Sequence, residues 1–425
     1  MRIPCSLLWL STALVATAPL ADRLALGLDN GLVLRDNGSA VNLRPLADAR
    51  GQFSLAAMAD ETAPPRQLRQ VAIGLQARLA LREDGTVWAN GLSGLGATGN
   101  DAGSPSEWVQ VRKLSEVVQI AAGYGHGLAL KRDGTVWAWG WNVFGQIGDG
   151  SHNNAHQPLQ VAGLSKVRQI GTRFNSSFAL TESGELWAWG YNDHGSLGDG
   201  STTMRLRPVK LELPALREIA IGEQHNFART QSGEWLGWGY NLQCQVGVAP
   251  GGRCEDVLVP TRLGRSWKAI IPGSTYTLAL NEDGSALWGW GRDQAGVLHG
   301  RGNAEGSITP VELDGSRWIG QTLKEVVIGR FAAAALTGTG RLYWWGQVNH
   351  IDNPAQPLPQ LVQHAPAALD LKQADSCMAQ AKMVGTDIRL SLPCVGFQGQ
   401  DYQAELSLLP LSGQTVFRLD SLMPR

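Results

Sequence analysis

One segment of this chain occurs twice, almost unchanged, at positions fifty residues apart. The stretch from Gln119 to Gly150 matches the stretch from Gln169 to Gly200, and both contain Trp-Ala-Trp-Gly. An internal period of this length is typical of proteins that repeat one supersecondary unit, each copy packing on its neighbours. The repeat therefore limits the possible folds more strongly than the composition does.

Seven copies of the repeat can be recognised by a glycine that ends a tight turn. An apolar strand precedes this turn and a Trp-containing strand follows it, and glycine suits the turn because it tolerates positive φ. The seven glycines are Gly38, Gly85, Gly134, Gly184, Gly233, Gly284 and Gly340. A second glycine stands eleven positions upstream in every copy but one, where Arg173 takes its place.

Each copy has the pattern of antiparallel strands. Around Asp133-Gly134, a dipeptide typical of two-residue hairpins, apolar and polar residues alternate on both sides. The glycine-rich stretch 140–150 predicts a structured loop, and a Pro-x-x-Val strand follows from Pro158 to Val161. About four short strands per copy is the content of a propeller blade. The sequence thus predicts an all-β fold, a seven-bladed β-propeller with a small C-terminal β-rich appendage.

The ends of the repeat region predict how the ring closes. The first copy begins near Arg23 and has no Pro-x-x-Val strand before it, whereas Pro359–Val362 and Ala368–Leu371 resemble that strand and its sequel. We expect the C-terminal end of the repeat region to complete the first blade, because closure by shared strands leaves no open sheet edge.

The repeat resembles that of the regulator of chromosome condensation family, which forms a seven-bladed propeller. The third copy carries the pattern in Gly123, His126, Ala129, Leu130, Asp133, Gly134, Val136, Trp137, Trp139, Gly140, Asn142, Gly145, Gln146, Ile147 and Gly148. The likeness extends over residues 22–371 and is weaker in the first two copies and the last. It implies a protein-binding propeller, since known activities in the family include nucleotide exchange on the GTPase Ran with chromatin binding and, in a secreted bacterial member, inhibition of β-lactamases.

The domain organisation follows from the regions outside the repeats. Residues 1–21 are typical of a secretory signal, with Arg2 before an apolar run and small residues up to Ala21. The run is short for a bilayer, so we expect an extracytoplasmic bacterial protein, periplasmic or secreted, without a membrane span after signal removal. The propeller occupies 22–371 and the appendage 372–425, where alternation predicts three strands at 388–392, 402–406 and 416–419.

Four cysteines remain after the signal, in two local pairs. Cys244 and Cys254 bracket a Gly-Pro-rich loop, and Cys377 and Cys394 bracket a segment near the C-terminus. An even number of cysteines at short spacing in an oxidising compartment predicts two disulfides. A metal site is the alternative, but neither a Cys-x-x-Cys motif nor clustered histidines accompany either pair.

The charge and the motifs disfavour several classes of function. With 36 basic and 37 acidic side chains and no basic stripe, nucleic acid is not an expected partner. No nucleophile elbow, phosphate loop or zinc-protease motif is present. Among loop carboxylates, Asp149, Asp193 and Asp199 would be candidates for a glycosidase pair, but two of them recur at one repeat position, which favours a turn role. We expect no catalysis, no metal and no cofactor.

Candidate binding residues lie where the copies differ. The residue after Trp-Gly is Trp141, Tyr191 and Tyr240 in three successive copies, an aromatic arc suited to a partner protein or a glycan if it faces solvent. Simple loop packing is the alternative. The position of His126 carries His225 and Tyr276 in later copies and forms a second candidate ring, for which local hydrogen bonding is the alternative.

These features predict a non-catalytic, monomeric, extracytoplasmic scaffold that engages an unidentified partner protein through loops on one face of the propeller. One alternative is a lectin-like or glycosidase-like propeller that binds or acts on polysaccharide. Another is an inhibitor of a secreted enzyme such as a β-lactamase. Ran exchange fits less well, because successive turn glycines lie only 47 to 56 residues apart and leave little room for a large insertion.

Overall fold

The structure, a computed structural model, is described over part of the 425-residue chain. Backbone and side chains are described for residues 67–91, 94–100, 107–248, 253–292, 297–298, 306–313, 321–328, 333–339, 343 and 345. Outside these ranges, only the backbone of the strands given below is described. The predicted signal at 1–21 and the cysteine pair Cys377 and Cys394 lie outside the described residues.

The described strands form eight four-stranded sheets, in which every pairing of neighbouring strands is antiparallel. The first four sheets consist of β1 (Leu24–Leu26), β2 (Gly31–Leu34), β3 (Ala40–Ala47) and β4 (Phe53–Ala57); β5 (Leu68–Ile73), β6 (Ala77–Arg82), β7 (Val87–Gly91) and β8 (Val109–Gln110); β9 (Val117–Ala122), β10 (His126–Lys131), β11 (Val136–Gly140) and β12 (Ala155–Gln160); and β13 (Val167–Arg173), β14 (Ser176–Thr181), β15 (Leu186–Gly190) and β16 (Arg205–Lys210).

The other four sheets continue the same order along the chain. They consist of β17 (Leu216–Ile221), β18 (His225–Thr230), β19 (Trp235–Gly239) and β20 (Val257–Arg262); β21 (Ala269–Pro272), β22 (Tyr276–Leu280), β23 (Leu287–Gly291) and β24 (Ser307–Glu312); β25 (Leu323–Ile328), β26 (Ala332–Thr337), β27 (Leu342–Gly346) and β28 (Gln356–Leu361); and β29 (Gln380–Val384), β30 (Asp387–Leu392), β31 (Tyr402–Leu411) and β32 (Gln414–Pro424). The first seven sheets correspond to the seven repeat copies, and the C-terminal region has four strands where three were predicted.

The predicted Asp-Gly hairpin is confirmed between β10 and β11. Both the backbone N–H and the hydroxyl of Thr135 donate to the Asp133 carboxylate, at 2.9 and 2.6 Å. Gly134 has φ +78°, and a Cβ there would lie 2.9 Å from the backbone of Lys166, which belongs to the connection into the next sheet. Glycine is required at this turn because a side chain would be both strained and crowded.

A Trp that recurs at one place in successive copies is expected to pack between neighbouring sheets, and the structure confirms this for the second Trp of the third to seventh copies. The Trp139 indole is fully buried and donates to the carbonyl of Ala97 in the preceding sheet's loop at 3.2 Å. The same contact recurs for Trp189, Trp238, Trp290 and Trp345. Each indole buries ~150–250 Å², worth at most about 4–6 kcal/mol. These tryptophans therefore stabilise the fold and are not available to a ligand.

Glutamine side chains join the first strands of neighbouring sheets. Gln169 donates to the carbonyl of Ile219 at 3.1 Å and accepts from the same residue's N–H at 3.3 Å. Gln70 and Gln119 make the same two bonds to Ile120 and Ile170. A first strand lies inside the ring and has no neighbouring strand on one side, so these amides satisfy backbone groups that the sheet itself leaves unpaired.

Contacts between first strands lead round the molecule and back to the start. They pass from β1 to β5, β9, β13, β17, β21 and β25, and β25 also contacts β1. The predicted route of closure is wrong, however. β28 pairs with β27 of its own sheet, and β4 completes the first sheet. The Pro-x-x-Val strand is the outer edge strand of the copy before it, a position that tolerates proline because one side of the strand needs no N–H donor. Residues 368–371 lie outside the described residues.

Candidate functional site

The loops that follow the first and third strands of each sheet lie at the same end of the molecule, because successive antiparallel strands reverse direction. We call this end the top face. In the third sheet it carries the turn at 123–125 and the long loop at 141–154. The Asp-Gly hairpins and the connections between sheets lie at the opposite end. Residues that follow Trp-Gly therefore belong to the top face.

A buried asparagine holds the long top-face loop together in the third, fourth and fifth sheets. The Asn142 side chain accepts from the N–H of Ile147 at 2.8 Å and donates to the carbonyl of Ser151 at 3.0 Å and to the Asp149 carboxylate at 3.2 Å. Asn192 repeats this arrangement with Leu197, Ser201 and Asp199. These bonds fix the loop. In the third sheet they hold in place Trp141, which precedes the asparagine, and Val143 and Phe144, which follow it.

Asp149 and Asp199 have the structural role that their repetition indicated. Asp199 accepts from Arg205 at 2.7 Å and from Ser201 at 2.8 Å, and these hydrogen bonds hold the pKa of its carboxyl below the usual value against the opposing effect of burial. Carboxylates engaged in this way build turns and are poorly suited to acid-base catalysis. Within the described ranges, no three His, Cys, Asp or Glu side chains group closely enough to hold a metal ion.

Five half-buried aromatic side chains form a continuous cluster on the top face of the third and fourth sheets. Trp141 lies 5.5 Å from Tyr124 and 5.6 Å from Phe144, and Phe144 lies 5.1 Å from Tyr191, measured between ring centroids. Phe174 closes the cluster at 5.8 Å from both Tyr124 and Tyr191. We refer to Tyr124, Trp141, Phe144, Phe174 and Tyr191 as the aromatic cluster.

The structure brings together two of the three predicted arc residues. Trp141 and Tyr191 are joined through Phe144, whereas Tyr240 instead packs on His194, with 4.7 Å between ring centroids. Sequence reasoning missed Tyr124, Phe144 and Phe174. The signal that would have found Tyr124 and Phe174 is the turn after the first strand, where the copies carry Leu75, Tyr124, Phe174, Glu223 and Ser274 in succession.

The second candidate ring is wrong as a partner surface, because its three members are buried. His126, His225 and Tyr276 expose 3%, 0% and 3% of their surface. They open the second strand of their sheets, where the side chain faces the next sheet. The imidazoles instead link sheets: His126 Nε2 lies 2.9 Å from the Thr172 hydroxyl and His225 Nε2 lies 2.8 Å from the Thr277 hydroxyl.

The proton of each buried imidazole can be placed from its partners. The Thr172 hydroxyl donates to the carbonyl of Ser176, and the Thr277 hydroxyl donates to the carbonyl of Gln245, both at 2.7 Å. Each hydroxyl therefore accepts from the imidazole, so Nε2 carries the proton and Nδ1 is a bare acceptor. Burial lowers the pKa of His126 to about 3, and burial together with the charge of Arg173 lowers the pKa of His225 to about 3.

A disulfide closes the top-face loop of the fifth sheet. Cys244 and Cys254 are bonded, with their Cα atoms 5.0 Å apart, which confirms one of the two predicted pairs. Cys244 has φ +59° and stands where the neighbouring copies have Gly145 and Gly195, also at positive φ. Just beyond the disulfide, Asp256 accepts from the N–H of Asn241 at 3.0 Å and lies 2.8 Å from His194 Nδ1 on the adjacent loop.

Comparison with known proteins identifies the architecture. The family model of the RCC1-like domain matches residues 47–376. The yeast protein RCC1 (Prp20), solved bound to Kap60, is 24% identical over 70% of this chain and 75% of its own, with a TM-score of 0.63. A second structure of the same protein, Prp20p from Saccharomyces cerevisiae, solved in work on its binding to Gsp1p and histones, is 22% identical over 81% of this chain and 88% of its own, with a TM-score of 0.64.

A human protein shares the same fold. WBSCR16 is 21% identical over 74% of this chain and 85% of its own, with a TM-score of 0.62. At these identities the likeness concerns the fold, an all-β propeller of RCC1-like repeats. In the part of the chain that the structure describes, no helix is long and apolar enough to cross a bilayer.

Proposed function

This chain belongs to the family of RCC1-like domains, and we propose that it is a non-catalytic scaffold that binds a partner protein through the top face. The observation that carries this proposal is the aromatic cluster. Five rings converge on loops at one end of a rigid ring of sheets, and aromatic side chains with part of their surface in water are the residues most often dominant in protein interfaces.

Apolar surface beside the cluster supports the same role. Val143 exposes 47% of its surface between Asn142 and Phe144, and Leu75 exposes 43% on the neighbouring turn. That turn is tied to the cluster because the N–H of Gln76 donates to the carbonyl of Tyr124 at 2.9 Å. A contiguous apolar patch on a soluble domain commonly marks an interaction site.

The partner in our proposal is a protein outside the cytoplasm. The disulfide between Cys244 and Cys254 supports an oxidising compartment, as does the signal-like sequence at 1–21. Yeast Prp20 binds Kap60, Gsp1p and histones. From it we carry over only the general property of binding a protein, because the identities are low and function depends on the site more than on the fold.

The proposal is tested by capturing partners on the immobilised full-length chain, with chemical cross-linking and saturation binding. We expect one protein to bind saturably to the wild-type chain and to be lost from a Trp141→Ala, Tyr191→Ala variant that unfolds at the wild-type temperature. Leu159→Ala is the matched control, because Leu159 is exposed on an outer strand away from the top face. Saturable binding of polysaccharide without any protein partner would contradict the proposal.

A further inference from the structure

We infer that the aromatic cluster binds an apolar segment of the partner that carries an arginine or a lysine. This inference rests on the proposed function and specifies the chemistry of the partner. It follows from the charges on the loops that carry the cluster, from the exposed Asp193 carboxylate beside it, and from the affinity of aromatic rings for cations.

Within their own spans, the loops that carry the aromatic cluster contain acidic residues but no lysine or arginine. Residues 123–125, 141–154, 174–175 and 191–204 include Asp149, Asp193 and Asp199 but no lysine or arginine. Charges close to an interface select partners of the opposite sign, and like charges brought together are costly. A basic segment is therefore favoured over an acidic one at this end of the molecule.

Asp193 is the carboxylate best placed to meet a partner's cation. Asp199 is paired with Arg205 at 2.7 Å, and Asp149 accepts from the N–H of Ser151 at 2.9 Å. Asp193, in contrast, is exposed at the edge of the cluster, where burial and then the nearby Asp193 carboxylate raise the pKa of Tyr191 to about 12. An exposed carboxylate keeps its charge and offers acceptor sites to an ammonium or a guanidinium.

Aromatic rings add an attraction that an acidic or neutral segment does not receive. The face of a Trp, Tyr or Phe ring attracts a cation, and a guanidinium also stacks on it. The chain itself contains this arrangement elsewhere, where Arg265 lies 4.5 Å from the ring of Trp267 and 4.0 Å from that of Trp288. Val143 and Leu75 beside the cluster suit apolar residues that flank the cation.

A phosphate or an acidic partner is disfavoured because the cation next to the cluster in sequence, Arg173, points away from it. Arg173 lies beside Phe174 in sequence, but its guanidinium donates to the carbonyl of Ile328 at 3.1 Å, so it is held toward the opposite sheet of the ring. The loops themselves carry no other arginine or lysine, and on the neighbouring strand β16 Arg205 is paired with Asp199 while the guanidinium of Arg207 lies against Gly150. The exposed charge beside the cluster is therefore the Asp193 carboxylate, which favours a cation.

The test uses four labelled peptides of the form Gly-Ser-Leu-Xaa-Leu-Ser-Gly, in which Xaa is Arg, Lys, Ser or Glu. Their affinity for the full-length chain is measured by fluorescence anisotropy at low and high salt. We expect the Arg and Lys peptides to bind at least about fivefold more tightly than the Ser peptide, and the Glu peptide to bind most weakly. Salt should reduce the difference.

Variants of the chain test whether the aromatic cluster and Asp193 cause the difference in peptide affinity. Asp193→Asn should reduce the preference for Arg over Ser, and Trp141→Ala should weaken every peptide. Asp283→Asn is the matched control, because Asp283 is an exposed aspartate in a hairpin at the opposite end. Equal binding of the Arg and Glu peptides, or no binding of any peptide, overturns the inference. If protein capture still depends on Trp141 and Tyr191 in that case, the proposed function stands alone; if capture also fails, both are wrong.

Discussion

Arg173 reaches from the first strand of the fourth sheet to the first strand of the seventh, where its guanidinium donates to the carbonyl of Ile328 at 3.1 Å. Arg173 also occupies the repeat position that is glycine in the other six copies. In the third copy, a side chain at that position would collide with the ring of His126. The fourth copy has the small Ser176 at the repeat position of His126, which leaves room for Arg173. The irregular copy therefore supplies a bond between sheets that are not neighbours.

Removing this bond should lower stability. We expect Arg173→Ala to reduce the free energy of unfolding by about 1–2 kcal/mol, because a partly buried carbonyl loses a charged donor. Denaturant unfolding at neutral pH measures the change. Arg262→Ala is the control, since its ion pair with Glu234 is exposed and contributes little. An unchanged unfolding midpoint for the Arg173 variant would show that the bond contributes nothing.

The buried imidazoles predict loss of stability in acid. The pKa of both His126 and His225 is about 3 in the folded chain, below the usual 6.5. Below about pH 6.5 the unfolded chain binds protons that the folded chain cannot, so stability falls as the pH falls toward 3. Each imidazole contributes about 1.4 kcal/mol per pH unit within that window.

Urea unfolding between pH 7.5 and 4.5 measures this slope. We expect the double variant His126→Gln, His225→Gln to have a shallower dependence on pH than the wild type, because glutamine keeps an N–H donor but does not titrate. His152→Gln, at an exposed position, should keep the wild-type slope. The same slope in all three proteins would mean that other groups are responsible for the acid sensitivity.

The disulfide between Cys244 and Cys254 should stabilise the oxidised protein. It closes a short loop with a sequence separation of 10 residues, and we expect its loss in Cys244→Ser, Cys254→Ser to cost at most about 3 kcal/mol. Peptide mass mapping without reduction should recover the two cysteines in one linked species. Recovery of both as free thiols from freshly purified, unreduced protein would contradict the assignment.

The glutamines that join the first strands should be sensitive to truncation. Gln169→Ala leaves both the N–H and the carbonyl of Ile219 without their side-chain partner, and we expect a loss of about 1–3 kcal/mol in unfolding free energy. Gln160→Ala, at an exposed position on an outer strand, should have little effect. A loss of equal size in the two variants would indicate that general packing, rather than these bonds, is involved.

Local patterns were the most successful part of the sequence reasoning. The hairpin at Asp133-Gly134 and the buried role of Trp139 followed from turn chemistry and from the recurrence of one residue type in successive copies. The prediction of how the ring closes was wrong because the sequence pattern of a strand does not show which other strand it pairs with. His126 was misplaced for a similar reason, because a repeat position carries no sign of the direction in which its side chain points.

By itself, the sequence determined the number of copies, the strands and the turns, since these depend on residues close together along the chain. Only the tertiary structure decided which copies meet. The aromatic cluster joins Trp141 to Tyr191 through Phe144, and Arg173 meets Ile328 across 155 positions of sequence. Such contacts depend on how the sheets pack around the ring. The repeat pattern does not show which side chains this packing brings together.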